Sequence, residues 1–88
     1  MNSFKLKISS PEGDIFNGNA TKLVVRGIEG ELAVMSGHIP FVTPVVPCKC
    51  KISLDDSSEK FATTDGGILS VTSDCVTLLS GSFVWVES

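Results

Sequence analysis

The chain has 88 residues, of which 42% are hydrophobic and 19% are charged, and its formal net charge is −3. A chain of this length forms one domain, and its composition is that of a globular protein rather than a disordered one. The seven basic residues are spread along the sequence, which argues against a nucleic-acid-binding surface, because such a surface needs clustered cations. No apolar run approaches the roughly 18 residues that a membrane-spanning helix requires.

The N-terminus and the cysteines bear on the cellular compartment. The segment from Met1 to Lys5 lacks the apolar region of a secretion signal. The chain has three cysteines, an odd number that does not suit a framework of paired disulfides. We therefore expect free thiols and a reducing, cytoplasmic environment.

Hydrophobic and polar residues alternate along most of the chain, and no helix of useful length can be recognised. The first expected strand carries Phe4, Leu6 and Ile8 on one face. Further strands are expected, in chain order, at Ile15–Asn17, Lys22–Arg26, Glu29–Met35, Cys48–Leu54, Glu59–Thr64, Ile68–Thr72, Cys75–Leu79 and Phe83–Val86. Turn residues separate them at hairpin spacing. About nine or ten short strands of this kind predict an all-β protein, a small antiparallel β-sandwich or flattened barrel.

The segment between Ile39 and Pro47 interrupts this pattern. It contains Pro40, Pro44 and Pro47, and proline cannot donate a hydrogen bond to a neighbouring strand. The sequence therefore predicts loop and sheet edge here rather than a central strand.

Two expected strands are apolar on consecutive residues, which places hydrophobic side chains on both faces. One is Leu23-Val24-Val25, and the other runs through Leu32 and Val34 on one face and Ala33 and Met35 on the other. In a single layer of antiparallel sheet one face meets water. We therefore expect the outer face of these strands to be covered by another protein.

Candidate chemistry in the sequence is sparse. His38 is the only histidine, and Ser36 lies two residues before it, but the Gly-x-Ser-x-Gly pattern of a nucleophilic serine is absent. A hydrolase that uses this pair therefore remains a minor alternative. For His38 itself, a hydrogen bond that orders the loop and a contact with a partner protein are equally compatible with the sequence.

The cysteines and acidic residues have simpler interpretations than metal binding. Cys48 and Cys50 share a face with Ile52 and Leu54, which favours small buried hydrophobes over metal ligands. The acidic stretch from Asp55 to Glu59 is too short for a calcium loop and indicates a solvated turn. We expect no catalytic residue, no metal and no cofactor.

A β-sandwich that binds a small ligand is the main alternative from the residues themselves. Such a module would have a concave pocket lined by Trp85 or Phe41. Since Trp85 shares a face with Phe83 on the last expected strand, packing of both rings into the core is the prediction we favour.

Several stretches together resemble the epsilon subunit of F-type ATP synthases. The segment from Gly30 to Thr43 resembles the family's Gly-Glu-Leu-Gly-Ile-x-x-Gly-His-x-Pro-Leu-Leu-Thr run, and Gly66-Gly67-Ile68-Leu69 resembles its Gly-Gly-x-Leu strand. Val76-Thr77-Leu78-Leu79 and the opening Ser10-Pro11 with Phe16-Asn17-Gly18 are similar to further family patterns in the same order. The likeness covers almost the whole chain, and its most specific part is Gly37-His38-Ile39-Pro40.

The resemblance implies a ten-stranded β-sandwich that performs no chemistry. It implies a rotor subunit in the central stalk of a proton- or sodium-translocating ATP synthase, which couples the c-ring to the gamma subunit and the catalytic head. The implied location is peripheral, on the cytoplasmic side of the bacterial inner membrane. Glu31 would face the c-ring loops and His38 the gamma subunit. The implied partner-contacting residues are Glu31, Met35, Ser36, Gly37, His38, Ile39, Pro40, Phe41 and Val42.

The chain departs from the family pattern in two places. Family members usually continue into a C-terminal helical hairpin, whereas this sequence reads as one sandwich domain over residues 1–88 without it. The family usually has Pro-Gly where this chain has Pro47-Cys48, so the turn after Pro47 is expected to differ.

Overall fold

A computed structural model describes residues 3–37 and 39–86. The described residues form ten strands and no helix, so they include no helix that could cross a membrane. The strands are β1 (Phe4–Ser10), β2 (Gly13–Ala20), β3 (Lys22–Gly27), β4 (Gly30–Met35), β5 (Phe41–Val45), β6 (Cys48–Ser53), β7 (Glu59–Thr64), β8 (Gly67–Val71), β9 (Val76–Ser80) and β10 (Phe83–Val86). The predicted all-β class and the count of about ten strands are confirmed.

The strands form two five-stranded layers that meet at one corner. Sheet 1 has the order β4-β3-β6-β7-β10, and sheet 2 has the order β5-β8-β9-β1-β2. A single pair, Gly27 with Val45, joins β3 to β5 and so links the two layers. All neighbours are antiparallel except β1 and β9, which are parallel. This parallel pair is the one departure from the predicted antiparallel arrangement.

Both sheets contribute alternate residues to one core, as the period-two pattern predicts. Leu23, Val25 and Ile52 from sheet 1 are buried together with Leu6 and Leu78 from sheet 2. The residues between them in sequence point outward. The fully buried core is therefore only one side chain deep on each sheet, and the outer faces of both sheets are left to solvent or to partners.

The prediction for the proline-rich segment is correct about the sheet edge but misses a strand. Residues 41–45 form β5, which lies between β3 and β8 in the strand order. The amide of Val46 donates to the carbonyl of Arg26 on β3, and the nitrogen of Pro44 lies on the same side because backbone groups alternate. On that side β5 has only the single pair with β3. Pro44 has no amide hydrogen to donate, but no strand pairs with this side of β5 at that position. No hydrogen bond between strands is therefore lost.

Strand β2 is longer than predicted and contains an irregularity. It runs along β1 from Gly13 to Ala20, but its register shifts after Ile8, which pairs with Phe16, while Ser9 pairs with Asp14. Ile15 is the extra residue and forms a β-bulge. The side chain of Ile15 packs against the core from this bulge.

A buried polar cluster ties the two sheets together at the turn before β8. The hydroxyls of Thr64 on β7 and Ser80 on β9 are hydrogen-bonded at 2.6 Å, and the Thr64 hydroxyl also bonds both backbone groups of Gly66. The Asp65 carboxylate accepts hydrogen bonds from the Ser80 hydroxyl and the Ser82 amide. Every polar side-chain atom buried in the described residues has a partner, which is the condition for such a cluster to stabilise a core.

Backbone contacts at this turn leave no room for side chains at its two glycines. A Cβ atom on Gly66 would lie 2.7 Å from the carbonyl oxygen of Val45. On Gly67 it would collide with the carbonyl oxygen of Leu79 on β9. The Gly-Gly pair is therefore required by the close approach of β8 to its neighbours.

The thiols of Cys48 and Cys50 face inward, as the sequence predicts. Cys50 is buried in the core, and Cys48 is half-buried beside it. Burial, with the neighbouring Cys48 as a smaller cause, raises the pKa of the Cys50 thiol from 9.0 to about 12. Cys50 is therefore held as a neutral, unreactive thiol at physiological pH.

The tight turn generates a stability prediction. We expect Gly67→Ala to lower the free energy of unfolding by more than about 2 kcal/mol, because the added methyl group must displace the β9 backbone. Gly18→Ala is the control, since a Cβ there meets only the Phe16 ring at an ordinary 3.5 Å. The control should change the free energy of unfolding by less than about 1 kcal/mol. Urea denaturation measures both, and equal stabilities of the two variants would contradict the packing described.

The Cys50 thiol generates a reactivity prediction. In the native protein at pH 8, we expect iodoacetamide to modify Cys50 at least about tenfold more slowly than Cys48 or Cys75, because only the thiolate reacts. The folded-state pKa lies above the unfolded one, so the stabilisation from Cys50 is complete below pH 9 and is lost as the pH rises toward 12. Peptide mass spectrometry measures the modification. Rapid labelling of Cys50 in native buffer, at the rate seen in guanidinium, would contradict its burial.

Candidate functional site

The loop between β4 and β5 is an exposed, partly apolar surface. Met35, at the end of β4, is 48% exposed, and Ile39 is 81% exposed. Ser36, Gly37 and Pro40 are exposed as well. Gly37 has a φ of 88°, a backbone conformation that favours glycine. His38, the remaining predicted contact residue in this loop, lies outside the described residues.

The two predicted contact residues at the start of β5 point in opposite directions. Phe41 is half-buried and packs against the core. Val42 is 68% exposed and lies on the outer face of sheet 2. The structure therefore assigns Phe41 a packing role in addition to any contact, whereas Val42 is free to contact a partner.

Glu31 is separated from the rest of the predicted contact residues. It lies at the start of β4, four residues before Met35, and a strand advances about 3.3 Å per residue, so about 13 Å separates their backbones. Glu31 instead adjoins the hairpin tip of Ile28 and Glu29, where Gly27 pairs with Gly30. An open hollow of about 500 Å³ lies at this tip. The predicted contact residues thus fall into two groups at opposite ends of β4.

In this chain by itself β4 is buried on one face only, and the expected cover of its outer face by another protein stays a prediction. Val34 is buried and Leu32 is half-buried on the inner face, but Met35 on the outer face is exposed. On β3, Val24 is half-buried on the outer face between the buried Leu23 and Val25. The inner faces account for the core, and the outer apolar residues are those that a partner could cover.

Sequence reasoning did not single out a second exposed apolar surface, on the outer face of sheet 2. Pro44 on β5 pairs with Ile68 on β8, and Ile68 pairs with Leu79 on β9. Pro44 is exposed, and Ile68 and Leu79 are 45% and 54% exposed. With Val42 they form what we call the sheet 2 patch: Val42, Pro44, Ile68 and Leu79. The sequence contains one indication of this surface, because strand alternation predicts that Ile68 and Leu79 point outward.

Trp85 does not pack fully into the core, contrary to the sequence prediction. Phe83 is buried, but Trp85 is 39% exposed at the side of the sandwich where β10 lies over β2. Its ring meets Phe83 edge-on at 5.3 Å and Phe16 at 6.1 Å, and the Lys60 ammonium lies 5.2 Å from its centre. Trp85 therefore closes the open side of the core.

The acidic stretch and the cysteines have structural roles where the structure describes them. Hydrogen bonds from the Ser58 hydroxyl and amide lower the pKa of the exposed Asp56 carboxyl and close the β6–β7 turn. Cys75 precedes β9, where its carbonyl accepts hydrogen bonds from Thr72. Residues 3–37 and 39–86 contain no group of three or more potential metal ligands.

Comparison with known proteins agrees with this architecture. A family model described as "ATP synthase, Delta/Epsilon chain, beta-sandwich domain" matches residues 3–86. An ATP synthase epsilon chain from Delftia acidovorans (strain DSM 14801 / SPH-1) is 37% identical over 84 residues, which is 96% of this chain and 61% of that protein.

Two solved structures share the fold. A chain in the cryo-EM structure of the Euglena gracilis mitochondrial ATP synthase (OSCP/F1/c-ring) superposes with a TM-score of 0.90 at 18% identity, over 97% of this chain and 54% of that one. A chain of the Tetrahymena thermophila mitochondrial ATP synthase central stalk and c-ring gives a TM-score of 0.75 at 14% identity, over 91% of this chain and 64% of that one. The chain thus spans between about half and two thirds of the length of these relatives. From the family match over residues 3–86 and the shared ten-stranded architecture, the chain belongs to the β-sandwich family of ATP synthase delta/epsilon chains.

Proposed function

We propose that this chain is part of the central stalk of an F-type ATP synthase, where it joins the c-ring to the gamma subunit without performing chemistry. The observation that carries the proposal is the sheet 2 patch, in which Val42, Pro44, Ile68 and Leu79 expose apolar side chains side by side. A surface of this kind on so small a protein is characteristic of a protein interface. Structural relatives in ATP synthase stalk and c-ring assemblies support the same assignment.

The two groups of predicted contact residues suit two different partners. The sheet 2 patch continues along the chain into Ile39 and Met35, and this apolar surface suits a lasting contact with the gamma subunit. His38 would join the same contact. Glu29 and Glu31 at the β3–β4 hairpin tip are exposed carboxylates, and charged residues of this kind suit the polar loops of the c-ring. Met35 is separated from Glu31 along β4, whereas Pro44 at the other end of the apolar surface lies beside the tip, where Gly27 pairs with Val45. The two proposed partners would therefore bind adjoining surfaces.

A coupling role depends on stiffness, and two features of the sandwich provide it. The Thr64–Ser80 hydrogen bond joins the two sheets inside the core, and the Gly66-Gly67 turn holds β8 against its neighbours. Torque applied at one surface is then transmitted to the other without bending of the sheets between them. The proposed location is peripheral, on the cytoplasmic side of the bacterial inner membrane, and the proposal applies equally to a proton- or a sodium-translocating complex.

The gamma contact can be tested with outward-facing substitutions. We expect Ile68→Asp and Leu79→Asp each to weaken binding to purified gamma subunit at least about tenfold, because each places a charge in an apolar interface. Val84→Asp, on the outer face of sheet 1, is the matched control and should bind as the parent does, since Val84 is equally exposed. Isothermal titration calorimetry measures the affinity, and thermal melting checks that all three variants fold. Unchanged affinity in the two sheet 2 variants would exclude this face as the gamma contact.

The c-ring contact has a separate test at the hairpin tip. We expect Glu31→Arg to reduce binding to isolated c-ring several-fold and to leave gamma binding unchanged, because a rim charge acts on association with one partner only. Asp55→Arg is the control, since Asp55 is an exposed carboxylate in the β6–β7 turn, at the other end of the sheet. Co-sedimentation with c-rings at low and high salt measures the effect. A loss of gamma binding in Glu31→Arg, with c-ring binding intact, would reverse the proposed assignment of the two ends.

A further inference from the structure

The fold gathers cations that are dispersed in the sequence onto the outer face of sheet 1. Lys22 and Arg26 lie on β3, and Lys49 and Lys51 lie on the neighbouring β6, all in outward-facing positions. Four of the seven basic residues therefore share one face of a protein whose net charge is −3. Two carboxylates, Glu31 and Glu59, lie on the same face, so the four cations still leave a net excess of positive charge there, which the overall composition conceals.

Three of these lysines border a hollow in the middle of the face. The hollow has a volume of about 350 Å³, and Lys22, Lys49 and Lys51 lie at its rim. Val24, Ala33 and the half-buried ring of Phe61 form its apolar part. This volume lies at the lower end of the range for small-molecule sites, roughly 300–1,000 Å³, and the mixture of apolar and a few charged groups is also typical of them.

The lysine ammonium groups are held only weakly by the protein itself. The Lys51 ammonium is 3.5 Å from the Glu59 carboxylate, in a pair that is partly exposed to solvent and therefore easily exchanged. The Lys49 ammonium lies 5.4 Å from the centre of the Phe61 ring. Lys22 has no carboxylate within ion-pair distance among the described residues. All three ammonium groups are available to an incoming anion.

The strand geometry gives the distances between the backbones of the three lysines. Lys49 and Lys51 are two residues apart on one strand, about 6.6 Å between their backbones. Lys51 pairs with Val24, so Lys22 is its diagonal neighbour, at roughly 7–8 Å. Lysine side chains span this distance, so their ammonium groups can converge on one compact anion that carries several charges. A single phosphate would engage fewer of them.

We propose that the outer face of sheet 1 carries a binding site for an oligophosphate anion, with Lys22, Lys49 and Lys51 contacting its phosphates. Glu31 also borders the hollow and directs the phosphates toward the lysine side by repulsion. The same chemistry occurs in a free chain of two or three phosphates and in the phosphate chain of a nucleotide. Phe61 distinguishes the two sources, because a base can stack on its ring. This site lies away from the sheet 2 patch. It shares Glu31 with the proposed c-ring contact, but its three lysines belong to neither stalk contact, so it does not depend on the stalk role.

The test is a titration of the 88-residue chain with sodium tripolyphosphate and separately with ATP, followed by NMR of the backbone amides. We expect saturable shifts centred on β3 and β6 at low salt, and weaker binding as the ionic strength rises. Lys49→Gln with Lys51→Gln should weaken tripolyphosphate binding at least about tenfold, because charge-assisted hydrogen bonds are lost.

The chain contains a matched control on the other sheet. Lys5 and Lys7 are also two residues apart on one strand and face outward, and Lys7 also has a carboxylate partner, Asp14, at 3.9 Å. Lys5→Gln with Lys7→Gln should leave the affinity unchanged. Equal loss in both double variants, or no saturable shifts up to about 10 mM ligand, a dissociation constant too weak for a specific site, would overturn the proposal.

Phe61→Leu then identifies the source of the phosphates. If the ligand is a nucleotide, this substitution should weaken ATP binding about threefold or more and leave tripolyphosphate binding unchanged, because only the base uses the ring. If ATP and tripolyphosphate bind equally well to the parent and to Phe61→Leu, the site recognises the phosphate chain alone. Both results support an oligophosphate site. Gamma binding is measured with separate variants on sheet 2, so failure of either proposal leaves the other testable.

Discussion

The strict alternation of inward and outward side chains is the constraint on which the rest of this structure depends. Only the inner faces of the two sheets supply the core, through residues such as Leu23, Ile52, Leu6 and Leu78. Since a sandwich of this size has no third layer, every outward residue is on the surface of the isolated chain. The outer faces can therefore differ in character: sheet 2 carries an apolar patch, and sheet 1 carries four of the basic residues.

The corner where the sheets meet explains why the candidate contacts lie where they do. β3 pairs with β4 along its whole length and with β5 at a single residue pair, Gly27 with Val45. This leaves β4 at the edge of sheet 1, with the hairpin tip at one end and the exposed loop at the other. Leu32 and Val34 of this strand still pack in the core, but its two connections are free of such packing demands. Residues that serve partners can occupy them at no cost to the core.

The sequence was sufficient to predict what depends on neighbouring residues in the chain. Alternation located nine of the strands, and the inward direction of Cys50 and Ile52 followed from it. β5 was missed because Pro44 was expected to break the hydrogen bonding of a strand. In the structure its nitrogen lies on a side of β5 where no strand pairs at that position. The exposed position of Trp85 was missed for a related reason, since strand phase fixes a direction but not whether the sheet ends there.

What could not be predicted depends on which strands lie side by side. Pro44, Ile68 and Leu79 come from three strands and become neighbours only through the pairing of β5, β8 and β9. The lysines of β3 and β6 are brought together in the same way. Strand order is a property of the whole fold, so a surface assembled across strands has no local signature. The segment from Met35 to Val42 is continuous in sequence, so its motif can be recognised locally, and its role as a partner contact stays a prediction.

The parallel pairing of β1 with β9 has a consequence for how the protein is made. Leu6 pairs with Val76 and Ser9 pairs with Leu79, so the first strand pairs with a strand that is synthesised about 70 residues later. During synthesis from the N-terminus, β1 can form a hairpin with β2, but sheet 2 cannot close until β9 has left the ribosome. Contacts of such long sequence separation slow folding, because the chain entropy of closing a large loop must be overcome first. The sandwich is therefore expected to assemble in one cooperative step once β9 and β10 have been made, rather than strand by strand.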